Sequence, residues 1–182
     1  MYKDLWLVCK KDFYELCDEA GILVWQEFML ACNNYVGTPH YLKILEQEAT
    51  SIITALRSHP CIAFWCGGNE LFNTWSGMDD QSMPLRLLNK LCYDLDPQRP
   101  FMMTAPLEGM AHGSYNFISP PDGKDVFQRF NGSHNTAYSE FGVPSISPVE
   151  NLRRAIPADE IFPFRETSAW VAHHGYRASY IG

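Results

Sequence analysis

The sequence lacks any apolar run near the roughly 20 residues that a membrane-spanning helix needs. It also lacks a cluster of lysine and arginine, because its 14 basic residues are dispersed among 21 acidic ones and the formal net charge is −7. Binding to nucleic acid depends on clustered positive charge that neutralises phosphates. We therefore expect neither a membrane nor a nucleic acid as a partner.

Cysteine spacings typical of zinc sites and redox motifs are absent, although the chain contains six cysteines. No Cys-x-x-Cys pair occurs, and most of the cysteines stand in apolar stretches. We expect buried free thiols in a reducing compartment, which favours the cytoplasm and leaves the periplasm open. These thiols belong to Cys9, Cys17, Cys32, Cys61, Cys66 and Cys92.

Two further absences concern the chain ends. His173 and His174 have no third ligand at a suitable spacing, so we interpret them as a structural pair rather than a metal site. The first ten residues carry Lys3, Asp4 and Lys10 in place of the apolar core of a signal peptide. We expect the amino terminus to be truncated, so the second absence says little about secretion.

What remains has the composition of an ordinary globular protein, with 46% hydrophobic and 19% charged residues. Helix and strand patterns alternate along it, which is typical of parallel βα units. Helices are predicted at 11–20, closed by Gly21, at 40–58 and at 83–95. Strands are predicted at 22–27, 61–66, 100–104 and 136–141, while residues 106–135 have the composition of long loops. The pattern predicts an α/β fold.

Two apolar segments, 61–70 and 136–142, each place a glutamate where a predicted strand ends. In α/β barrels the active site is built at that end of the strands. Glu70 follows Gly67-Gly68-Asn69, where the glycines permit tight turning and leave room for a ligand. A carboxyl group leaving an apolar strand loses solvation, which raises its pKa and suits it to proton donation. Glu70 is therefore the candidate general acid and base.

Glu140, between Ser139 and Phe141, is the second carboxylate. Ionised and hydrogen-bonded, it would act as a nucleophile, and a pair of carboxylates is what glycoside hydrolysis needs. The alternative for either glutamate is a surface carboxylate that caps a helix or pairs with an arginine. Two such strand ends in one chain favour catalysis. Aromatic residues, 14% of the chain, would suit a sugar cleft, although core packing is the simpler interpretation.

The segments 13–28, 59–60, 65–70 and 139–142 together resemble glycoside hydrolase family 2, and within it the β-mannosidase branch. The Asn69-Glu70 pair is similar to the family's acid/base signature at barrel strand four, and 139–142 to its nucleophile signature at strand seven. The resemblance implies a (β/α)₈ TIM barrel. It also implies a retaining exoglycosidase that removes a terminal β-linked sugar, expected to be mannose, without a metal or organic cofactor.

The same resemblance implies roles for single residues. Glu140 would attack the anomeric carbon, and Glu70 would protonate the leaving oxygen and then activate water. The loop around His112 and Tyr115 departs from the histidine- and tryptophan-rich pattern of the family, and Trp170 is expected at the last strand. Contact with the sugar is implied for Trp25, Gln26 and Trp170, although a core or wall role stays open for each of them. The Asn69 amide would hydrogen-bond a substrate hydroxyl or would only fix the turn, and Tyr115 and His112 are candidates for orienting the nucleophile.

The resemblance also predicts an incomplete barrel. Residues 1–182 would form a family 2 catalytic barrel from about its third strand onward, without the β-sandwich domains or the first two barrel strands. A barrel open in this way would pair with a second copy or with a missing fragment, which predicts a homo-oligomer or a docked domain. Two other hypotheses stay open: another β-glycoside as substrate (glucosaminide, galactoside or glucuronide), or a catalytically silent, carbohydrate-binding remnant.

Overall fold

A computed structural model of the protein describes residues 1–4, 8–115, 123–142, 147–163, 165 and 167–174. The chain divides into two compact units. Unit 1 comprises Met1–His112 with Asn135–Ser139, and unit 2 comprises Gly113–His134 with Glu140–Gly182.

Unit 1 contains a four-stranded sheet whose neighbouring strands are all parallel. Its strands are β1 (Tyr2–Asp4), β2 (Val24–Glu27), β3 (Ile62–Cys66) and β4 (Phe101–Met102). The intervening helices are α1 (Lys11–Ala20), α2 (Pro39–Leu56) and α3 (Met83–Leu95). The strands lie in chain order, with one helix between each pair, which is the arrangement of an α/β barrel and not of a doubly wound sheet. The predicted fold class is confirmed.

The helix ends follow local sequence signals. Helix α1 has its predicted bounds and ends at Gly21, whose φ of 66° lies in the left-handed region that glycine adopts freely. At the start of α2 the Thr38 side chain accepts a hydrogen bond from the Tyr41 amide at 3.3 Å. Helix α3 also has its predicted bounds, with Pro84 in its first turn.

The two faces of the sheet contact different sets of side chains. On one face, Val24 and Trp65 pack with Tyr14, Ile53 and Leu88 of the three helices to form the main core. On the other face a smaller apolar cluster forms around Trp25, Phe64, Cys66, Ala105 and Met110. Since successive side chains of a strand alternate between faces, β2 and β3 contribute to both clusters.

Two predictions about strands need correction. A strand does precede residue 22, because β1 pairs with β2 in the register Tyr2↔Val24 and Lys3↔Trp25. This strand escaped prediction because three residues, two of them charged, form no apolar run. Residues 106–135, expected to be irregular, contain strand β5 (Met110–His112), which pairs with β6 (Ala137–Glu140) in a second sheet.

Unit 2 contains four short helices: α4 (Val126–Asn131), α5 (Val149–Ala155), α6 (Ala158–Ile161) and α7 (Ser168–His174). Trp170 lies on α7 and not on a strand, so its predicted position is wrong. Its ring is buried and its indole N–H donates to the Glu160 carbonyl at 2.8 Å. The side chain of His174 lies outside the described part of the chain, so the predicted pairing with His173 stays a prediction. Among the described helices, none has the length and apolar character needed to cross a membrane.

Candidate active site

Glu70 lies just beyond the carboxyl end of β3, where hydrogen bonds to its backbone fix its position. Its φ of 53° places a non-glycine residue in the left-handed region, which costs of order 1 kcal/mol or more. Its amide donates to the Ala105 carbonyl at 2.7 Å, and the Ser76 hydroxyl donates to its carbonyl at 2.7 Å. The surrounding chain thus stabilises a strained conformation that fixes the direction of the side chain.

The glycines before Glu70 allow neighbouring backbones to approach closely. A Cβ atom at Gly67 would lie 2.3 Å from the Met103 carbonyl oxygen, and one at Gly68 would lie 2.2 Å from that of Leu30. The sequence predicted that these glycines leave room for a ligand. In the structure that space is filled by the backbone of Leu30 and Met103, in the segments that follow β2 and β4, so the ligand explanation is wrong.

Both oxygens of the Glu70 carboxylate contact side chains of unit 1. Oε1 lies 2.9 Å from Nδ1 of His112, the last residue of β5, and Oε2 accepts a hydrogen bond from the Cys32 thiol at 3.3 Å. The Glu70 side chain keeps 21% of its exposure, whereas that of His112 keeps 6%. A carboxyl group that is both held and open to solvent can exchange a proton with a bound molecule.

Next to Glu70 lies a buried polar network that the sequence did not reveal. Nζ of Lys3 lies 3.3 Å from Oε1 of Glu27, whose side chain is fully buried, and 3.0 Å from Oδ1 of Asn69. The same ammonium group is 5.2 Å from the centroid of the Trp25 ring, a cation–π distance. Asn69 lies beside Glu70 as predicted, but its amide is only 1% exposed and is hydrogen-bonded within the protein. Its contact with a sugar stays a prediction.

In unit 2, Tyr115 contacts the second candidate carboxylate. Its hydroxyl group donates a hydrogen bond to Oε2 of Glu140 at 3.0 Å. The backbone supports this contact, because the Gly113 amide donates to the Glu140 carbonyl at 2.9 Å. A hydrogen bond from a phenol orients the carboxylate oxygen that accepts it, and a nucleophile needs such a fixed orientation.

Comparison with known proteins decides the family. The model of the family described as glycosyl hydrolases family 2, TIM barrel domain, matches residues 9–114, more than half of the chain. The chain belongs to glycoside hydrolase family 2.

Relatives of this family 2 chain include β-mannosidases. A β-mannosidase B from Thermothelomyces thermophilus is 37% identical over 179 residues, covering 84% of this chain and 21% of the relative. The β-mannosidase of Mus musculus is 34% identical over 122 residues, covering 59% of this chain and 14% of the relative. The crystal structure of a β-D-mannosidase from Dictyoglomus thermophilum superposes with a TM-score of 0.70 at 28% identity, covering 87% of this chain and 21% of that one. The chain thus spans about a fifth or less of the length of these relatives.

Gln26 does not have the predicted place at a sugar subsite of the family 2 barrel. Its side chain is fully buried, its Oε1 accepts from the Tyr14 hydroxyl at 2.7 Å, and its Nε2 donates to the Glu27 carbonyl at 2.9 Å. It therefore faces α1, and the core role left open by the sequence applies. Trp25 faces the other side of the sheet, where its ring packs 4.7 Å from that of Phe64. Its contact with a sugar stays a prediction.

A cluster of potential metal ligands, Asp18, His59 and Cys61, lies at the amino-terminal end of β3, opposite to the end at which barrel enzymes build their active sites. Asp18 accepts from the Cys61 amide at 2.8 Å and lies 2.6 Å from Nδ1 of His59. Burial raises the pKa of the Cys61 thiol to about 12, with the Asp18 contact adding to it. Since Asp18 already bonds protein groups through both oxygens and the thiol holds its proton, we interpret this cluster as a structural link between α1 and β3.

The cysteines depart in part from prediction. All six are free thiols, and four are buried, as expected. Cys32 is exposed and Cys9 is half-buried, so the prediction of burial is wrong for these two. Cys32 follows β2 in a left-handed conformation with φ of 47°, so its thiol leaves the apolar layer and lies beside Glu70.

Proposed function

We propose that the protein is a retaining exoglycosidase that removes terminal β-linked sugars, with β-mannosides as its substrate. The observation that carries this proposal is the Glu70 carboxylate, held at both oxygens beyond the carboxyl end of a parallel strand. Membership of glycoside hydrolase family 2 supports the reaction class. Mannose is favoured because the relatives named above are β-mannosidases.

The proposed reaction has two displacement steps. In the first, a carboxylate oxygen of Glu140 forms a bond to the anomeric carbon while the glycosidic bond breaks, and Glu70 gives its proton to the leaving oxygen. In the second, Glu70 takes a proton from water, whose oxygen displaces Glu140 and restores the original configuration. His112 keeps Glu70 in place, and Tyr115 keeps Glu140 oriented. Neither step requires a metal ion or an organic cofactor.

We extend the proposal to the domain organisation. Residues 1–182 are proposed to lie within a family 2 catalytic barrel domain. The family match over residues 9–114 and the parallel sheet of β1 to β4 support this proposal.

A panel of nitrophenyl β-glycosides tests the substrate. The mannoside is expected to exceed the glucoside, galactoside, N-acetylglucosaminide and glucuronide in kcat/KM by about tenfold or more, since a pocket built for one hydroxyl configuration rejects the others. Glu70→Gln is the matched inactive variant, and Glu46→Gln, at an exposed position of α2, is the control expected to keep full activity. A kcat/KM for the mannoside no higher than for the other glycosides would overturn the mannoside assignment. No hydrolysis of any of them would overturn the proposed glycosidase activity.

A further inference from the structure

Cys32 lies beside the Glu70 carboxylate although the two residues are 38 positions apart in the chain. The thiol sulfur is 3.3 Å from Oε2 of Glu70. The Cys32 amide donates to the Asn69 carbonyl at 3.0 Å, so backbone pairing as well as the thiol fixes this neighbour of Glu70. Both Cys32 and Glu70 adopt left-handed conformations, with φ of 47° and 53°. The contact therefore depends on two strained backbones that the surrounding structure supports.

The direction of the hydrogen bonds around Cys32 follows from the chemistry of Lys3. An ammonium group can only donate, so Asn69 presents Oδ1 to Lys3 at 3.0 Å. Nδ2 of Asn69 is then directed to the Cys32 sulfur at 3.7 Å, to which it donates. The sulfur thus accepts from Asn69, and the S–H group donates a hydrogen bond to Oε2 of Glu70. The donors run in one direction, from Lys3 through Asn69 and Cys32 to Glu70.

The two oxygens of Glu70 thus have unlike partners. Oε1 contacts the imidazole of His112, and Oε2 contacts the thiol, which is a weak donor. The charged groups behind the thiol are Lys3 and its buried partner Glu27, which pair with each other at 3.3 Å. A weak donor orients a carboxylate oxygen while leaving that oxygen able to hold and release a proton.

We propose that Cys32 is a positioning residue for Glu70. The Cys32 thiol holds Oε2 of Glu70 in the orientation from which the carboxyl group exchanges its proton. The catalytic consequence of this contact rests on the proposed glycosidase function, whereas the contact itself does not. Two readouts therefore test them separately.

The first readout is the rate at which iodoacetamide alkylates Cys32 at neutral pH, measured by peptide mass spectrometry. A carboxylate beside the thiol opposes formation of the reactive thiolate, so Glu70→Gln is expected to speed alkylation of Cys32 by about three- to tenfold. Half-buried Cys9 is the internal control and should react at the same rate in both proteins. Buried Cys61, Cys66 and Cys92, whose pKa values burial raises, should react slowly throughout. Equal rates for Cys32 in both proteins would overturn the proposed coupling.

The second readout is glycoside hydrolysis by Cys32→Ala and Cys32→Ser. The alanine variant is expected to lose about five- to tenfold in kcat with little change in KM, because the ground-state binding of the sugar does not use the thiol. The serine variant should recover most of that loss, since its hydroxyl group can donate to Oε2. A purely structural role predicts instead equal losses in both variants and a lower Tm, and that result would overturn the proposal. If the protein hydrolyses no glycoside, the proposed function fails. The alkylation rates of Cys32 then still test the contact between Cys32 and Glu70.

Discussion

Nδ1 of His112, the last residue of β5, lies 2.9 Å from Oε1 of Glu70, which follows β3 and is 42 positions away in the chain. The imidazole is nearly buried while the carboxylate is partly exposed. A buried ring has little freedom to move, so it fixes the carboxylate that must reach a substrate. The contact explains how a glutamate in a turn can have a defined orientation.

Replacement of His112 should affect proton donation in particular. We expect His112→Ala to lower kcat/KM by about 10- to 100-fold on mannosides with poor leaving groups, because the side chain that orients the proton-donating carboxyl group is lost. Mannosides with activated aryl leaving groups need little protonation and should be much less affected. Steady-state kinetics on the two substrate types checks this. His134→Ala, at an exposed position, serves as the control. An equal loss on both substrate types would contradict the role of His112 at Glu70.

Gly68→Ala should destabilise the protein far more than an alanine at another left-handed glycine. The added Cβ would lie 2.2 Å from the Leu30 carbonyl oxygen, and the φ of 152° is unfavourable for alanine. We expect a loss of about 3 kcal/mol or more in the free energy of unfolding, measured with urea. Gly21→Ala, where a Cβ meets nothing within 4 Å, should cost only about 1 kcal/mol. Equal costs at the two positions would refute the close packing described for β3.

Tyr115→Phe should weaken the nucleophile without disturbing the fold. The change removes the hydroxyl group that lies 3.0 Å from Oε2 of Glu140. We expect kcat/KM for mannosides to fall by about 10- to 100-fold at unchanged Tm. Tyr93→Phe, at a residue that is 74% exposed, should leave the kinetics unchanged. Wild-type kinetics in Tyr115→Phe would show that the hydrogen bond has no part in the reaction.

Asp18 should link stability to acid pH. Burial would raise its pKa, but hydrogen bonds from Cys61 and His59 outweigh burial, and the pKa is lowered from its ordinary value of 3.8. A lowered pKa stabilises the fold above about pH 3.8, and this contribution is lost as the pH falls through the folded-state value. Asp18→Asn should therefore be less stable than wild type at neutral pH, with the difference narrowing below that pH. Exposed Asp80→Asn is the control, and a difference that is constant with pH would contradict the link.

Much of the fold could be predicted because its signals are local. Gly21, Pro84 and the apolar stripes determine the ends and faces of the helices, and the apolar runs ending at Glu27 and Cys66 mark two parallel strands. No local signal of this kind marks strand β1. Its pairing with β2 depends on partners that are distant in the sequence, and its Lys3 is charged.

The candidate site was only partly predictable for a related reason. A strand end marks where a glutamate lies but not what it contacts: Glu27 also ends an apolar strand, yet its buried side chain pairs with Lys3. Gln26 was misplaced because the alternation of side chains along β2 directs it toward Tyr14. Cys32 was missed because its thiol reaches Glu70, outside the apolar layer, only through a left-handed backbone conformation. That conformation could not be predicted from the sequence.

In the proposed reaction Glu140 forms a covalent bond to the sugar. The most direct measurement incubates the protein with a mannosyl fluoride that carries fluorine in place of the hydroxyl group next to the anomeric carbon, which slows release of the intermediate. Peptide mass spectrometry then locates the label. We predict one fluorosugar on Glu140, no label in Glu140→Ala, and inactivation that a natural mannoside slows by competition. A label on another residue, or hydrolysis of the mannoside without any trapped intermediate, would contradict the account.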